Sequence, residues 1–157
     1  MQCSVRKAEK KDVPDILRLI KELAEYEKAP EEVKVTVEEL ERDGFGPNPI
    51  YKALIAEAEG KIASMALYYV KYSTWKGKGI YLEDIIVSEP YRRYGTGTLL
   101  FNEVVKASKE MGARKMYWQV LDWNEPAIKF YKKYNATFED EWLNGMLNEK
   151  QLQDIKL

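Results

Sequence analysis

The 157-residue sequence has no histidine and one cysteine. The first absence excludes Ser-His and Cys-His nucleophilic pairs and any histidine-ligated metal, and no metal site is expected. Acid–base chemistry is left to Glu, Asp, Tyr, Lys or water. The lone Cys3 cannot close an internal disulfide, and it reads as a small buried residue of a first strand rather than a nucleophile. No run of eighteen apolar residues occurs, and the N-terminal "MQCSVRKAEKKD" lacks the apolar region of a signal peptide. The expectation is a cytoplasmic protein that does not enter a membrane. An excess of one charge is missing too: 25 Lys and Arg stand against 26 Asp and Glu. Charge therefore gives no case for nucleic acid or an anionic membrane as partner. Repeats, low-complexity segments and linkers are absent.

What is present fits a single domain spanning residues 1–157, with 45% hydrophobic residues. "CSVRKA" reads as a short strand. Val13, Ile16, Leu17, Ile20, Leu23 and Ala24 recur at three-and-four spacing, which predicts an amphipathic helix from about Asp12 to Tyr26. "TVEELERDGFG" predicts a second helix, with Thr36 as N-cap, Glu39 completing a capping box and Gly44 as stop. "YKALIAEA" and "KIASMALYYVKY" flank Glu59-Gly60 as a hairpin. "TWKGKG" then turns the chain into the strand "IYLEDIIV".

A helix from about Thr96 to Met111 follows, with Gly112 as stop. "KMYWQVL" is the next strand, and Asn124 caps a helix with Pro126 in its first turn. "WLNGML" reads as a last strand before a short helix capped by Asn148. Hairpins demand antiparallel pairing. The unit "IYLEDIIV"–helix–"KMYWQVL" demands a parallel pair with a right-handed crossover. The fold class is α/β or α+β, a mixed and mostly antiparallel sheet with flanking helices.

One segment, "YLEDIIVSEPYRRYGTGTLL" at residues 81–100, is unusual. It sets Glu83 and Asp84 in an apolar strand, and side-chain alternation puts them on opposite faces. It then opens a helix with Gly95 and Gly97. Helix-start amides lack intrahelical partners, and glycines let an anion approach them. A G-x-G alone is equally met by a plain turn. The dinucleotide pattern fails because Leu100 replaces its third glycine, and the G-x-x-x-x-G-K pattern is missing.

Arg92-Arg93-Tyr94-Gly95-Thr96-Gly97 resembles the Q/R-x-x-G-x-G/A motif of the GCN5-related N-acetyltransferase (GNAT) family. "DILRLIKELAEYEK", "DGFGPNPIY", "YSTWKGKGIYLED" and "VLDWNEPAIKFYKK" extend the similarity over nearly the whole chain, to the diamine acetyltransferase branch. The resemblance implies a GNAT fold with one splayed parallel strand pair, and acetyl-coenzyme A as donor. It implies direct transfer, in a ternary complex, to a primary amine of a thialysine-like, lysine-like, diamine or polyamine acceptor, by a homodimer. A protein N-terminus, an aminoglycoside, or a non-catalytic acyl-coenzyme A-binding role are the alternatives.

The resemblance also assigns residues. Glu83 is the general base, through water, and Tyr131 the general acid for the departing thiolate. Arg92, Arg93, Tyr94, Gly95, Thr96, Gly97 and Thr98 would surround the pyrophosphate. Ile85, Ile86 and Val87 would offer backbone groups, and Asn124, Glu125, Pro126 and Ala127 further cofactor contacts. Tyr26, Glu27, Trp75, Glu83, Asp84, Tyr117, Trp118 and Gln119 would meet the substrate. Each has a structural alternative: an ion pair for the carboxylates, core packing for Tyr131, capping for Asn124, an exposed helix end for Glu27, an exposed turn for Trp75. Three positions depart from the family pattern. Arg93 and Asn135 replace glycines, and Ser73 stands where the spermidine enzyme is acidic.

Overall fold

The computed structural model describes residues 2–157, in two compact units that divide after Gln119. The first unit holds strand β1 (Cys3–Lys7), helices α1 (Val13–Tyr26) and α2 (Val37–Phe45), and strands β2 (Lys52–Ala58), β3 (Lys61–Ser73) and β4 (Gly77–Val87). Helix α3 (Thr96–Glu110) and strand β5 (Met116–Tyr117) complete it. The strands form one sheet in the order β1-β2-β3-β4-β5. All neighbours are antiparallel except β4 and β5. This is the mixed sheet that the hairpins and the crossover helix required.

Helices cover both faces. On one, Val13, Ile16 and Leu19 of α1 and Leu40 of α2 pack with Ala53, Ile55, Met65 and Ile86. Each is nearly fully removed from water, and a buried aliphatic side chain contributes about 1.5–3 kcal/mol. On the other face lies α3, whose Leu100, Phe101 and Val104 are buried and whose Gly97 abuts Val87. Cys3 is half-buried rather than buried.

Local signals hold where they are strongest. The Thr36–Glu39 capping box forms as predicted. Glu59 and Gly60 both take positive φ, the conformation of a tight hairpin turn. The stop at Gly44 does not: α2 continues to Phe45 and is capped at Gly46. Gly44 is small for another reason, since a Cβ there would overlap the Tyr51 ring. Helix α1 ends without glycine. The Lys28 N–H donates to Glu25 and that of Ala29 to Ala24, a Schellman closure with Lys28 at φ 63°.

The second unit, Val120–Leu157, holds α4 (Glu125–Lys132) and α5 (Glu149–Asp154). Asn124 and Asn148 cap them as expected, accepting from the backbone N–H of Ala127 and Gln151. Asn135 adopts φ 58°, the left-handed turn for which glycine is the usual residue. The predicted strand "WLNGML" does not form. Trp142, Leu143 and Met146 are 65%, 98% and 85% exposed, and no ladder partner exists for them among the described residues. The strand "KMYWQVL" is likewise reduced to Met116–Tyr117, because β5 meets β4 only there.

Candidate active site

The chemistry-bearing part of the first unit is the second half of β4. Before it, Ile80 and Tyr81 pair with Met116 and Tyr117 of β5. From Leu82 to Val87 the strand has no ladder partner on that edge among the described residues. The parallel pairing ends at Tyr81, so Ile85, Ile86 and Val87 have no β5 ladder partner, and the Val87 carbonyl accepts from Arg92 Nε at 3.4 Å.

The same half carries a β-bulge. Leu67 pairs with Asp84 and Tyr68 with Leu82, so Glu83 is the extra residue. A bulge interrupts alternation and strengthens the local twist. Leu82 therefore faces opposite to Ile86, although the two are four apart, for Ile86 joins the α1 core and Leu82 does not. Glu83 and Asp84 consequently share the α1 side of the sheet. This overturns the expectation of opposite faces: that inference assumed an unbroken period of two, and the bulge supplies the missing step.

Two tyrosines share this face. The Tyr69 hydroxyl donates to Glu83 Oε2 at 2.9 Å, and its ring stacks on Tyr81 with centroids 5.4 Å apart. Burial and the hydrogen bond to Glu83 push the Tyr69 phenol up to about 12. Asp84 lies opposite Leu67, at the edge of the α1 core. Burial, then the charges of Glu83 and Glu27, push its carboxyl up to about 7. Glu27, at the C-cap of α1, is itself raised by burial. Three acidic groups thus converge with no cation paired to Asp84 among the described residues. Such an arrangement is electrostatically unfavourable alone and receptive to an ammonium.

The glycine turn follows β4. Gly95 takes φ 81° and starts α3 in a left-handed conformation, no side chain caps that helix, and its first turn has no acidic residue. The amides of Thr96, Gly97 and Thr98 point outward with the positive end of the helix dipole, the setting an anionic pyrophosphate fits. Thr96 is buried and Tyr94 exposed. Arg93 adopts φ 75°, a left-handed conformation that glycine takes without strain and an arginine rarely adopts. The Arg92 guanidinium sits 5.3 Å from the centre of the Tyr26 ring, linking the turn to the end of α1.

Glu22 makes a second link that the sequence did not reveal. Its carboxylate accepts from the Ser88 hydroxyl at 3.0 Å and from the Glu89 N–H at 2.8 Å. It looked like one more charge on a helix. Tyr69 was equally hidden among 11 tyrosines, and only register selects it.

The remaining residues distribute as follows. Glu27, Tyr81, Glu83 and Asp84 cluster, Tyr117 joins Tyr81 across the β4–β5 pair, and Tyr26 meets Arg92 of the turn instead. Trp118 faces the other way and meets Phe101 of α3 edge-on, with centroids 5.6 Å apart. Gln119 is exposed beyond the strand. Trp75 is 82% exposed on the β3–β4 turn, where Ser73 Oγ accepts the Trp75 and Lys76 N–H groups. The structure does not bring Trp75 to the carboxylates within its own unit. In the second unit Glu125, Pro126 and Ala127 form the first turn of α4, and Tyr131 is its buried residue, 6% exposed.

Residues 14–136 match the acetyltransferase (GNAT) family. The thialysine N-epsilon-acetyltransferase of Bos taurus is 44% identical over 140 residues, covering 84% of this chain and 82% of that protein. The spermidine/spermine N(1)-acetyltransferase-like protein 1 of Homo sapiens is 35% identical over 161 residues, covering 96% of this chain but 23% of that longer protein. Among solved structures, an aminoglycoside acetyltransferase from an uncultured soil metagenomic sample, in complex with trehalose, superposes with a TM-score of 0.75. It is 18% identical and covers 93% of this chain and 95% of its own, a likeness of fold alone.

Proposed function

Because this chain belongs to the acetyltransferase (GNAT) family and is an N-acetyltransferase of the acyltransferase class, we propose that it carries an acetyl group from acetyl-coenzyme A to the primary amine of a small cationic molecule. The acceptor is a thialysine-like or lysine-like compound, or a short diamine. Transfer is direct, within a ternary complex. The observation carrying this reading is the bulge that delivers Glu83 and Asp84 to one sheet face beside Glu27.

An alkylammonium has an unperturbed pKa near 10, so it arrives charged and must lose a proton before it can attack. Asp84 and Glu27 would hold the cation, with Tyr26 beside them. Glu83, oriented by Tyr69, would take the proton through water. The start of α3, Arg92–Thr98, would bind the pyrophosphate of the donor with backbone amides. The open edge at Ile85–Val87 and the α4 turn at Asn124–Ala127 would hold the rest of it. Tyr131 would protonate the departing thiolate. Tyr117 would line the acceptor side. Ser73, a neutral residue already engaged in its turn, disfavours a long polyamine that needs a row of carboxylates.

The chain would act as a homodimer in the cytoplasm, without nucleic acid or membrane. Val70, Tyr72 and Trp75, 53%, 75% and 82% exposed, support an aromatic patch that a second copy would cover. Light scattering giving a monomer mass at micromolar concentration would remove that part.

The decisive experiment is a panel of amines with acetyl-coenzyme A: thialysine, lysine, spermidine, spermine, an aminoglycoside and a peptide N-terminus. Turnover highest with a lysine-like compound is expected. Donor binding without turnover of any amine would make the protein an acyl-coenzyme A-binding module instead.

A further inference from the structure

We propose that Lys71 is the specificity-determining residue that binds the α-carboxylate of an amino-acid acceptor, so that the acceptor surface is acidic at one end and basic at the other. The inference rests on the amine-acetylating reading above and narrows its substrate class.

Lys71 follows Tyr69 by two on β3, so both side chains leave the same face of the sheet. That face also carries Glu83 and Asp84. Its partner across the ladder is Gly79, which has no side chain to fill the space. A Cβ at Gly79 would stand 2.7 Å from Tyr117 Cε2, so the absence of one lets the Tyr117 ring lie over the strand. The Lys71 ammonium then rests 4.2 Å from the Tyr117 ring centre and 5.5 Å from that of Tyr81. Two tyrosine faces hold the cation in place without neutralising it. Among the described residues no acidic side chain lies within ion-pairing distance of it.

The result is a graded surface. Glu83 sits four residues beyond Gly79 on β4, roughly 13 Å along the strand, and the long side chains of Lys71 and Glu83 shorten the span between their charges. Stacked Tyr69 and Tyr81 form the floor between the two ends. A polyamine has no use for the basic end and is repelled by it. A lysine-like acceptor presents its distal ammonium to the carboxylates and its α-carboxylate to Lys71. The neighbouring Val70 and Tyr72 point to the opposite face, so a partner covering them would leave this floor free.

The test compares thialysine with its decarboxylated counterpart, bis(2-aminoethyl) sulfide, corrected for its two equivalent amines. Steady-state kinetics with acetyl-coenzyme A would be measured on wild type, Lys71→Met and Lys71→Arg, each checked for an unchanged melt. Wild type should prefer thialysine. Lys71→Met should lower the kcat/KM ratio between the two acceptors about 5–20-fold, through KM for thialysine. Lys71→Arg should retain most of the preference. An unchanged ratio in Lys71→Met, or equal loss with both acceptors, would overturn the assignment. A wild type preferring the sulfide diamine would do the same while leaving the acetyltransferase reading intact. Turnover of neither would overturn that reading, and this inference with it.

Discussion

The two halves of β4 are built from one continuous apolar segment yet behave differently. Gly77–Tyr81 is paired with β3 along one edge and meets β5 on the other at Ile80 and Tyr81, and Ile80 is fully buried. Leu82–Val87 keeps β3 alone, carries the bulge and holds two carboxylates. The first half satisfies its backbone within the fold. The second has no ladder partner on its β5 edge among the described residues, and it carries in Asp84 a carboxylate with no cation paired to it there. One strand is thus paired on both edges at one end and carboxylate-bearing at the other, and an extra residue, Glu83, stands where the two meet.

Substitutions that separate rate from stability put this contrast to the test. The largest effect is expected at Glu83. Glu83→Gln keeps the shape and the Tyr69 contact but removes the base, so kcat should fall about 10²–10⁴-fold while the melting temperature hardly moves. Wild-type kcat in this variant would make the bulged carboxylate structural.

Asp84 comes next, and its effect is on stability. Its carboxyl titrates at about 7 in the folded chain, above its ordinary value of 3.8, so the folded state holds the proton more tightly than the unfolded state. The protein should be most stable below about pH 4 with respect to this group, and should lose that contribution as pH rises to about 7. Asp84→Asn removes the dependence and should stabilise the apoprotein at pH 8 by about 2–4 kcal/mol in urea titrations. A variant less stable than wild type at pH 8 would show that Asp84 is paired after all.

Gly79→Ala probes the scaffold half. The added Cβ would meet Tyr117 and, at 2.9 Å, the rigid Lys115 carbonyl. A loss of about 1–3 kcal/mol is expected, from overpacking. The smallest effect belongs to the turn beyond β4. Arg93→Gly relieves a left-handed backbone and should change stability by less than about 1 kcal/mol, in the stabilising direction, with donor affinity kept. A tenfold loss of donor affinity would instead make the Arg93 side chain a ligand.

Sequence alone revealed most of what is local, the Gly44 stop excepted. The periodicity of α1, the Thr36 and Asn124 caps, the Glu59-Gly60 turn and the glycine start of α3 each depend on residues within one turn of each other. Pairing is not local. The bulge at Glu83 exists only relative to Leu67 and Tyr68, so alternation along β4 misassigned a face. "KMYWQVL" and "WLNGML" have strand composition, yet composition does not supply a neighbour to bond. Glu22 and Lys71 were invisible for the same reason: their partners lie 66 and 46 positions away, at Ser88 and Tyr117.

The raised Asp84 carboxyl has a calorimetric consequence. Near pH 7 it is about half protonated, and an ammonium docking beside it should expel that proton into solution. The heat of amine binding should then vary with the ionisation enthalpy of the buffer, the slope giving the fraction of a proton released. In most proteins imidazoles blur such a measurement. This chain contains none, so the slope reports on the raised carboxyls that face the amine, Asp84 and Glu27.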